Sequence, residues 1–250
     1  MSSDLLRLLV PVVLLSGCSV KEDRSACPCL LVLEFSSLPV TPVMVSVEGE
    51  GCSLLHRVHS DTLLALSVPK TELSVSVTGG ALPDAVEGVR IPLGEEAPPL
   101  YLYHASVSSD AEQVLLPVYL RKQFCQLTLV FSGPPGYGPP FQVEVEGFAD
   151  GWARDGSPSE GPFSYRLLPG EDGRATLRLP RQRDDSLLMH ILFSDQVVRT
   201  FTLGTYIADA GYDWTTPDLE DLTLNVDVSV TSVTLSTDEW SHSEEIELFI

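Results

Sequence analysis

The stretch Leu222-Thr223-Leu224-Asn225-Val226-Asp227-Val228-Ser229-Val230 decides the fold. Its apolar residues occupy every second position, and polar side chains fill the positions between them. A β-strand places successive side chains on opposite faces of a sheet. The alternation therefore predicts a strand with one face in a core and the other in water.

Four earlier segments show the same alternation, at residues 43–48, 73–78, 126–131 and 174–179. Proline and glycine separate the apolar segments at roughly ten-residue intervals, as the turns of a β-sandwich do. A helical repeat is nearly absent, and only residues 203–210 leave room for a short helix. We therefore expect an all-β protein.

The sequence Arg121-Lys122-Gln123 lies between two predicted strands, at residues 113–120 and 124–131. A chain of 250 residues is long enough for two small sandwiches. We place the first domain at residues 28–120 and the second at 121–250. The run rich in proline and glycine at 132–140 is interpreted as a loop of the second domain, because the strands on either side of it need each other.

The composition excludes several classes of function. The net charge is -20, which argues against nucleic acid as a partner because few basic groups could neutralise phosphates. The sequence contains no Gly-x-Ser-x-Gly elbow and no phosphate-binding glycine loop. We expect a protein that is not an enzyme and that holds no cofactor.

Two groups of side chains could be read as metal ligands. His56 and His59 lie close together without carboxylates at ligand spacing, so we interpret them as surface histidines. The acidic residues between 209 and 221 lack the EF-hand spacing. Turn formation before a strand explains these acids better, and we predict no metal site.

The amino terminus reads as a secretory leader. Residues 5–15 are apolar apart from Arg7 and Pro11, and they are too few to span a bilayer as a helix. The following Leu15-Ser16-Gly17-Cys18 looks like a lipobox. We predict a signal peptide at 1–17, acyl chains such as palmitate on Cys18, and a tether at 18–27. Removal of the leader takes away one acid and one base, so the net charge stays at -20.

Four further cysteines follow Cys18, namely Cys27, Cys29, Cys52 and Cys125. Four exported cysteines allow three pairings, and the sequence does not choose among them. A bridge between Cys27 and Cys29 would be strained across the single proline between them. We expect one or two disulfides from this pair to Cys52 or Cys125, and we consider a metal site less favoured because a second close-spaced ligand pair is absent.

Several local patterns together resemble the fimbrium-anchoring lipoproteins of Bacteroides-type bacteria. They are Lys21-Glu22-Asp23-Arg24-Ser25-Ala26-Cys27-Pro28-Cys29 after Cys18, Leu116-Pro117-Val118-Tyr119-Leu120-Arg121-Lys122-Gln123, Leu179-Pro180-Arg181-Gln182, Leu203-Gly204-Thr205-Tyr206-Ile207, Gly211-Tyr212-Asp213-Trp214, Asp218-Leu219-Glu220-Asp221 and Asp238-Glu239-Trp240. Each motif alone is weak, but their order covers essentially the mature chain. One departure is Asp227-Val228-Ser229, where many relatives have an aspartate followed by an aromatic residue.

The resemblance implies two transthyretin-like sandwiches in tandem. It also implies a structural anchor at the base of a fimbrium, which holds the polymer to the outer membrane and limits its length. Lys21-Glu22-Asp23 is similar to the signal that sends such lipoproteins to the outer leaflet, which places the protein at the cell surface. The implied partners are fimbrial stalk subunits, joined by addition of a β-strand.

Strand addition uses backbone hydrogen bonds for affinity and side-chain pockets for register. Residues 245–250 could be donated to a stalk subunit, with Ile246, Leu248 and Ile250 in its groove. The same residues could instead complete the second domain, or the first domain could accept a strand. An alternative function is a surface lipoprotein that binds a glycan or a host protein, for which Trp152, Tyr212 and Trp214 should share one exposed patch.

Overall fold

The structure is a computed structural model that describes residues 27–60, 62–80, 88–132, 141–227, 232–236 and 246–247. Its first strands are β1 (Cys29–Phe35), β2 (Val43–Gly49), β3 (Cys52–Val58), β4 (Leu63–Val68), β5 (Glu72–Gly79), β6 (Gly88–Arg90), β7 (Tyr101–Ser108), β8 (Gln113–Val118) and β9 (Arg121–Lys122). The remaining elements are β10 (Phe124–Ser132), β11 (Gln142–Ala153), β12 (Pro158–Leu167), β13 (Arg174–Pro180), β14 (Leu188–Phe193), β15 (Gln196–Phe201), the helix α1 (Leu203–Asp209), β16 (Leu222–Asp227), β17 (Ser232–Ser236) and β18 (Ile246–Glu247). The all-β prediction is confirmed.

The first sandwich consists of two sheets. Sheet A has the order β4-β1-β8, in which β1 runs antiparallel to β4 and parallel to β8. Sheet B has the order β3-β2-β5-β7-β9. The alternating apolar residues of β1, β2 and β5 meet between the two sheets in one buried cluster. Each fully buried aliphatic side chain in such a core contributes about 1.5–3 kcal/mol.

The second sandwich repeats this arrangement. Sheet D begins with the order β13-β10-β16, in which β10 is antiparallel to β13 and parallel to β16. Sheet C has the order β12-β11-β14-β15. The strands β4, β1 and β8 of sheet A correspond to β13, β10 and β16, and the strands β3, β2, β5 and β7 of sheet B correspond to β12, β11, β14 and β15. The alternation of Leu222, Leu224 and Val226 sends these side chains into the second core.

Sheet D differs from sheet A at one edge. Strand β17 pairs with β16, and β18 pairs with β17, both antiparallel. In sheet A, no described strand pairs with the corresponding side of β8. The second sandwich therefore covers an edge with its own carboxyl-terminal chain, whereas the described part of the first sandwich leaves the matching edge open.

The two cores do not divide the chain at a single point. Strand β6 pairs with β11 in sheet C, and Val89, Ile91, Ala97 and Leu100 belong to the second core. Residues 88–100 precede the predicted boundary at 120, yet they pack on the second sandwich. Strand β9 follows that boundary and pairs with β7 of the first sandwich. Each sandwich thus contacts a piece of chain from across the boundary.

The expected disulfides are absent from the described residues. Cys27, Cys29, Cys52 and Cys125 are all free thiols. Cys29 lies in the first core and Cys125 in the second, so the two sulfurs are held in different clusters. Cys52 is half-buried at the start of β3, where burial raises the pKa of its thiol. The cores close without a cross-link.

Candidate functional site

The chain crosses between the sandwiches at Arg121-Lys122-Gln123, and this segment is held from both sides. Strand β9 pairs with β7, with Lys122 opposite Tyr101. On the other side, the Lys122 amide donates to Asp218 Oδ1 at 2.9 Å, and the Leu219 amide donates to the Lys122 carbonyl at 3.2 Å. The crossing segment therefore lies between the first sandwich and the loop that precedes β16.

Two acidic residues of that loop contact the crossing segment, and a third stabilises a turn within the loop. Asp218 Oδ2 accepts a hydrogen bond from Arg121 Nη1 at 2.7 Å, and Asp221 forms an ion pair with Lys122. Asp221 Oδ1 also accepts from the amide of Gln126 at 2.8 Å. Asp213 accepts from the amide and the hydroxyl of Thr215, at 2.8 and 2.7 Å. These carboxylates serve in turns and ion pairs, and no group of three metal-ligating side chains occurs among the described residues.

Arg181 fixes the rest of this loop to the crossing segment. The residue is 8% exposed, and burial lowers the pKa of its guanidinium. Its Nε donates to Gln123 Oε1 at 3.0 Å, and its Nη atoms donate to the carbonyls of Trp214, Thr216 and Pro217. One arginine thereby satisfies three loop carbonyls, which a lysine could not reach with a single ammonium group.

The aromatic residues Trp152, Tyr212 and Trp214 do not form an exposed patch. Trp152 is 1% exposed, and its indole Nε1 donates to the Gln123 carbonyl at 2.8 Å. Tyr212 and Trp214 meet edge to face with ring centroids 4.7 Å apart, and both pack against the second core. The Tyr212 hydroxyl donates to the Glu220 carbonyl at 2.8 Å. The prediction that these three residues share one exposed patch is therefore wrong, because all three pack in the core of the second sandwich or at the joint between the sandwiches.

Arg154 forms a second contact between the sandwiches. It follows β11, and its Nη1 donates to Glu48 Oε2 of β2 at 2.6 Å. Its other nitrogens donate to Ser76 Oγ at 3.1 Å and Ser46 Oγ at 3.0 Å. The hydrogen bond from Arg154 lowers the pKa of the Glu48 carboxyl. Nothing in the sequence marks Arg154, because an arginine beside a turn is usually solvated.

A groove of about 760 Å³ lies between these contacts. Its walls include Tyr103, His104 and Tyr119 from the first sandwich and Asp155, Arg183 and Trp214 from the second. Arg183 pairs with Glu160 at 2.8 Å, and His104 Nδ1 lies 3.0 Å from Ser76 Oγ. The groove therefore lies at the joint between the two sandwiches, and these pairs line it on both sides.

The edge of β8 is a candidate docking site for an extended segment. The Leu30 amide donates to the Glu112 carbonyl at 2.8 Å. Successive residues of a strand direct their backbone groups to opposite sides. The backbone groups that point towards β1 are therefore those of Val114, Leu116 and Val118. The backbone groups that point away from it are those of Gln113, Leu115 and Pro117. Proline has no N–H and occurs on edge strands, so Pro117 suits this position.

The remaining predicted site residues divide into two groups. Cys18, Leu248 and Ile250 lie outside the described residues. Ile246 lies in β18, paired with Val233 of the same chain. None of the helices in the described part is long and apolar enough to cross a bilayer.

Comparisons with known proteins identify solved structures that share this fold. No protein-family model matches the chain, and no curated protein is similar to it in sequence. Among solved structures, a candidate adhesin from Bacteroides ovatus is 17% identical, with a TM-score of 0.64 over 88% of this chain and 96% of that chain. A candidate polysaccharide-binding protein from Bacteroides thetaiotaomicron is 12% identical, with a TM-score of 0.66 over 86% of this chain and 98% of that chain.

The fimbrial anchor protein Mfa2 from Porphyromonas gingivalis is 10% identical, with a TM-score of 0.63 over 87% of this chain and 100% of that chain. At these identities the likeness concerns the fold, and in each case it extends over nearly the whole of the other chain. The predicted resemblance is confirmed in the fold: the chain has the tandem sandwiches of a Bacteroidales fimbrial anchor and of related candidate adhesins.

Proposed function

We propose that the protein is the anchoring subunit of a cell-surface fimbrium. It holds the base of the polymer to the outer membrane through acyl chains on Cys18 and limits the length of the fimbrium. It acts by binding and not by catalysis. The likeness to a fimbrial anchor over all of that protein's solved chain supports this role.

The observation that carries the proposal is the difference between β8 and β16. In the second sandwich, β17 covers the outer side of β16. The matching side of β8 has no partner among the described residues. A strand from a stalk subunit would complete sheet A as β17 completes sheet D. The amides of Gln113 and Leu115 would donate to it, and Pro117 would limit the register because it offers only an acceptor.

Leu115→Pro tests this docking site. The backbone N–H of Leu115 points away from β1. A proline at this position therefore removes one amide donor from the outer edge and leaves the hydrogen bonds to β1 intact. We expect the variant to lose capture of stalk subunits in a pull-down from cells that produce fimbriae. Its thermal midpoint should stay within about 4–8 °C of the parent, which corresponds to no more than about 1 kcal/mol for a small domain.

Ala65→Pro is the matched control, at the opposite edge of sheet A. The Phe35 amide donates to the Thr62 carbonyl at 3.1 Å, which places the amide of Ala65 on the outer side of β4. This variant should still capture the stalk. Equal capture by both proline variants and the parent would contradict docking at β8.

The lipid anchor is tested separately by Cys18→Ala. A single acyl chain gives only marginal membrane binding, and two or more chains hold firmly. We expect the variant, together with its attached fimbriae, in the culture medium. Retention of the variant in the outer-membrane fraction would rule out Cys18 as the anchor.

A further inference from the structure

Phe148 is a large aromatic side chain on the surface of the second sandwich. It lies in β11 and is 64% exposed. The β11–β12 ladder is irregular at this point, because Gly147 pairs with Phe163 whereas Ala149 pairs with Glu160. Two residues of β12 therefore lie opposite Phe148. Such bulges re-aim a side chain, and here the aromatic ring is directed outward.

The bulge is held in place by polar contacts. Asp150 forms an ion pair with Arg90, and Ser159 Oγ donates to Asp150 Oδ1 at 2.7 Å. The Ile91 amide donates to the Asp150 carbonyl at 2.7 Å. A Cβ at Gly161 would collide with the Asp150 carboxylate, so a larger residue there would displace that carboxylate from its partners. Phe148 is therefore exposed on a fixed platform and not on a loose loop.

Two hollows flank the ring, and Phe148 lines both. One is about 380 Å³ and includes Glu160, Gln182, Arg183 and Asp184. The other is about 370 Å³ and includes Glu144, Glu146, Ser164 and Ser186. Each hollow lies within the range of small-molecule sites, about 300–1,000 Å³. The surface thus combines one exposed aromatic face with hydrogen-bonding groups on both sides.

We propose that this Phe148 surface binds a neutral saccharide. A pyranose ring has an apolar C–H face that stacks on an aromatic ring and a rim of hydroxyls that donate and accept hydrogen bonds. Glu160 and Arg183 pair with each other at 2.8 Å. A carboxylate has about four acceptor sites and a guanidinium five N–H donors, so both keep groups that can bind sugar hydroxyls. The hollows contain four carboxylates and one guanidinium, from Glu144, Glu146, Glu160, Asp184 and Arg183, so their charge disfavours anionic sugars.

The site lies on sheet C of the second sandwich, and the proposed docking edge lies on sheet A of the first. Saccharide binding would therefore be a second activity, available while the first sandwich is attached to a fimbrium. It stands or fails independently of the anchoring role.

Affinity electrophoresis of the full-length protein tests the inference. Native gels would contain a neutral polysaccharide (dextran, yeast mannan, xylan or arabinogalactan) or the anionic alginate. We expect retardation by at least one neutral polysaccharide. Phe148→Ala should weaken that binding about tenfold or more, and Phe148→Trp should retain it because a larger ring still stacks.

Phe193→Ala is the matched control, because Phe193 is another phenylalanine on the same sandwich with an exposed side chain, 55% against 64% for Phe148. It should bind as the parent does. Absence of retardation by all four neutral polysaccharides, retardation by alginate alone, or unchanged binding by Phe148→Ala would each overturn the proposal. Membrane retention and capture of stalk subunits should be unaffected in every variant.

Discussion

The Arg154 guanidinium donates to the Glu48 carboxylate across the two sandwiches, with 2.6 Å between Nη1 and Oε2. Ser46 and Ser76 of the first sandwich accept from the same arginine. Residues of three strands, β2, β5 and the end of β11, are thereby connected by one side chain. The proposed anchoring role requires that tension pass between the two sandwiches, and this contact connects them directly.

Arg154→Ala should weaken the coupling between the sandwiches. The Arg154 side chain is 25% exposed, so we expect a loss of about 1–2 kcal/mol, more than for a surface ion pair. Arg154→Lys should recover little, because an ammonium cannot reach the three acceptors together. Urea unfolding would measure the effect. Arg174→Ala is the control, because the Arg174 side chain is 59% exposed and lies 4.0 Å from Asp172. An equal loss of unfolding free energy in both variants would contradict the coupling role of Arg154.

The same contact predicts a dependence on pH. The pKa of Glu48 is lowered in the folded protein, first by the hydrogen bond from Arg154. The unfolded chain therefore takes up a proton more readily than the folded chain, and the stability present above about pH 4.5 is lost as pH falls through the lower folded value. Glu48→Gln should show a smaller fall in unfolding free energy between about pH 6 and 3. If the unfolding free energies of the variant and the parent fall equally over this pH range, Glu48 does not contribute to the pH dependence.

Arg181 should matter more than Arg154 to the second sandwich. Removal of the Arg181 side chain takes a hydrogen-bond donor away from four acceptors. They are the Gln123 side-chain oxygen and the carbonyls of Trp214, Thr216 and Pro217. We expect Arg181→Ala to cost about 3–5 kcal/mol. The neighbouring Arg183 has a side chain that is 49% exposed, so Arg183→Ala should cost less than about 1 kcal/mol. Similar losses in both variants would contradict the bridging role of Arg181.

The sequence is informative where a local pattern has a direct structural consequence. Alternating valines predict β2 and β5, and residues 203–210 contain α1, the helix of the described part. Long-range pairing leaves no such local pattern. Nothing near Leu31 or Val114 indicates that β1 and β8 run parallel, and nothing near Val89 indicates that β6 joins sheet C. The exposed ring of Phe148 depends on a bulge held by Asp150, two residues later in β11, and by Gly161 on the paired strand β12. The alternation of apolar and polar residues does not indicate where such a bulge occurs.

The cysteines should behave as thiols. Burial raises the pKa of Cys125 to about 12, so its sulfur is protonated and shielded at neutral pH. Cys27 is exposed. Iodoacetamide at about pH 8 should modify Cys27 in the native protein and Cys125 only after unfolding. Peptide mass spectrometry would read both sites. A disulfide-linked peptide, or a mobility shift on reduction, would restore the bridges that the sequence predicted.

The carboxyl-terminal strand offers the sharpest choice between two roles. Ile246 and Glu247 pair with Val233 and Ser232, so this strand lies at the edge of its own sheet. We expect deletion of residues 245–250 to lower the unfolding free energy of the second sandwich by about 1 kcal/mol, because two residue pairs are lost within the described part of the chain. Capture of stalk subunits should persist, because the proposed docking edge is β8. Loss of capture with unchanged stability would instead identify Ile246, Leu248 and Ile250 as a donated strand and move the docking site from the first sandwich to the end of the chain.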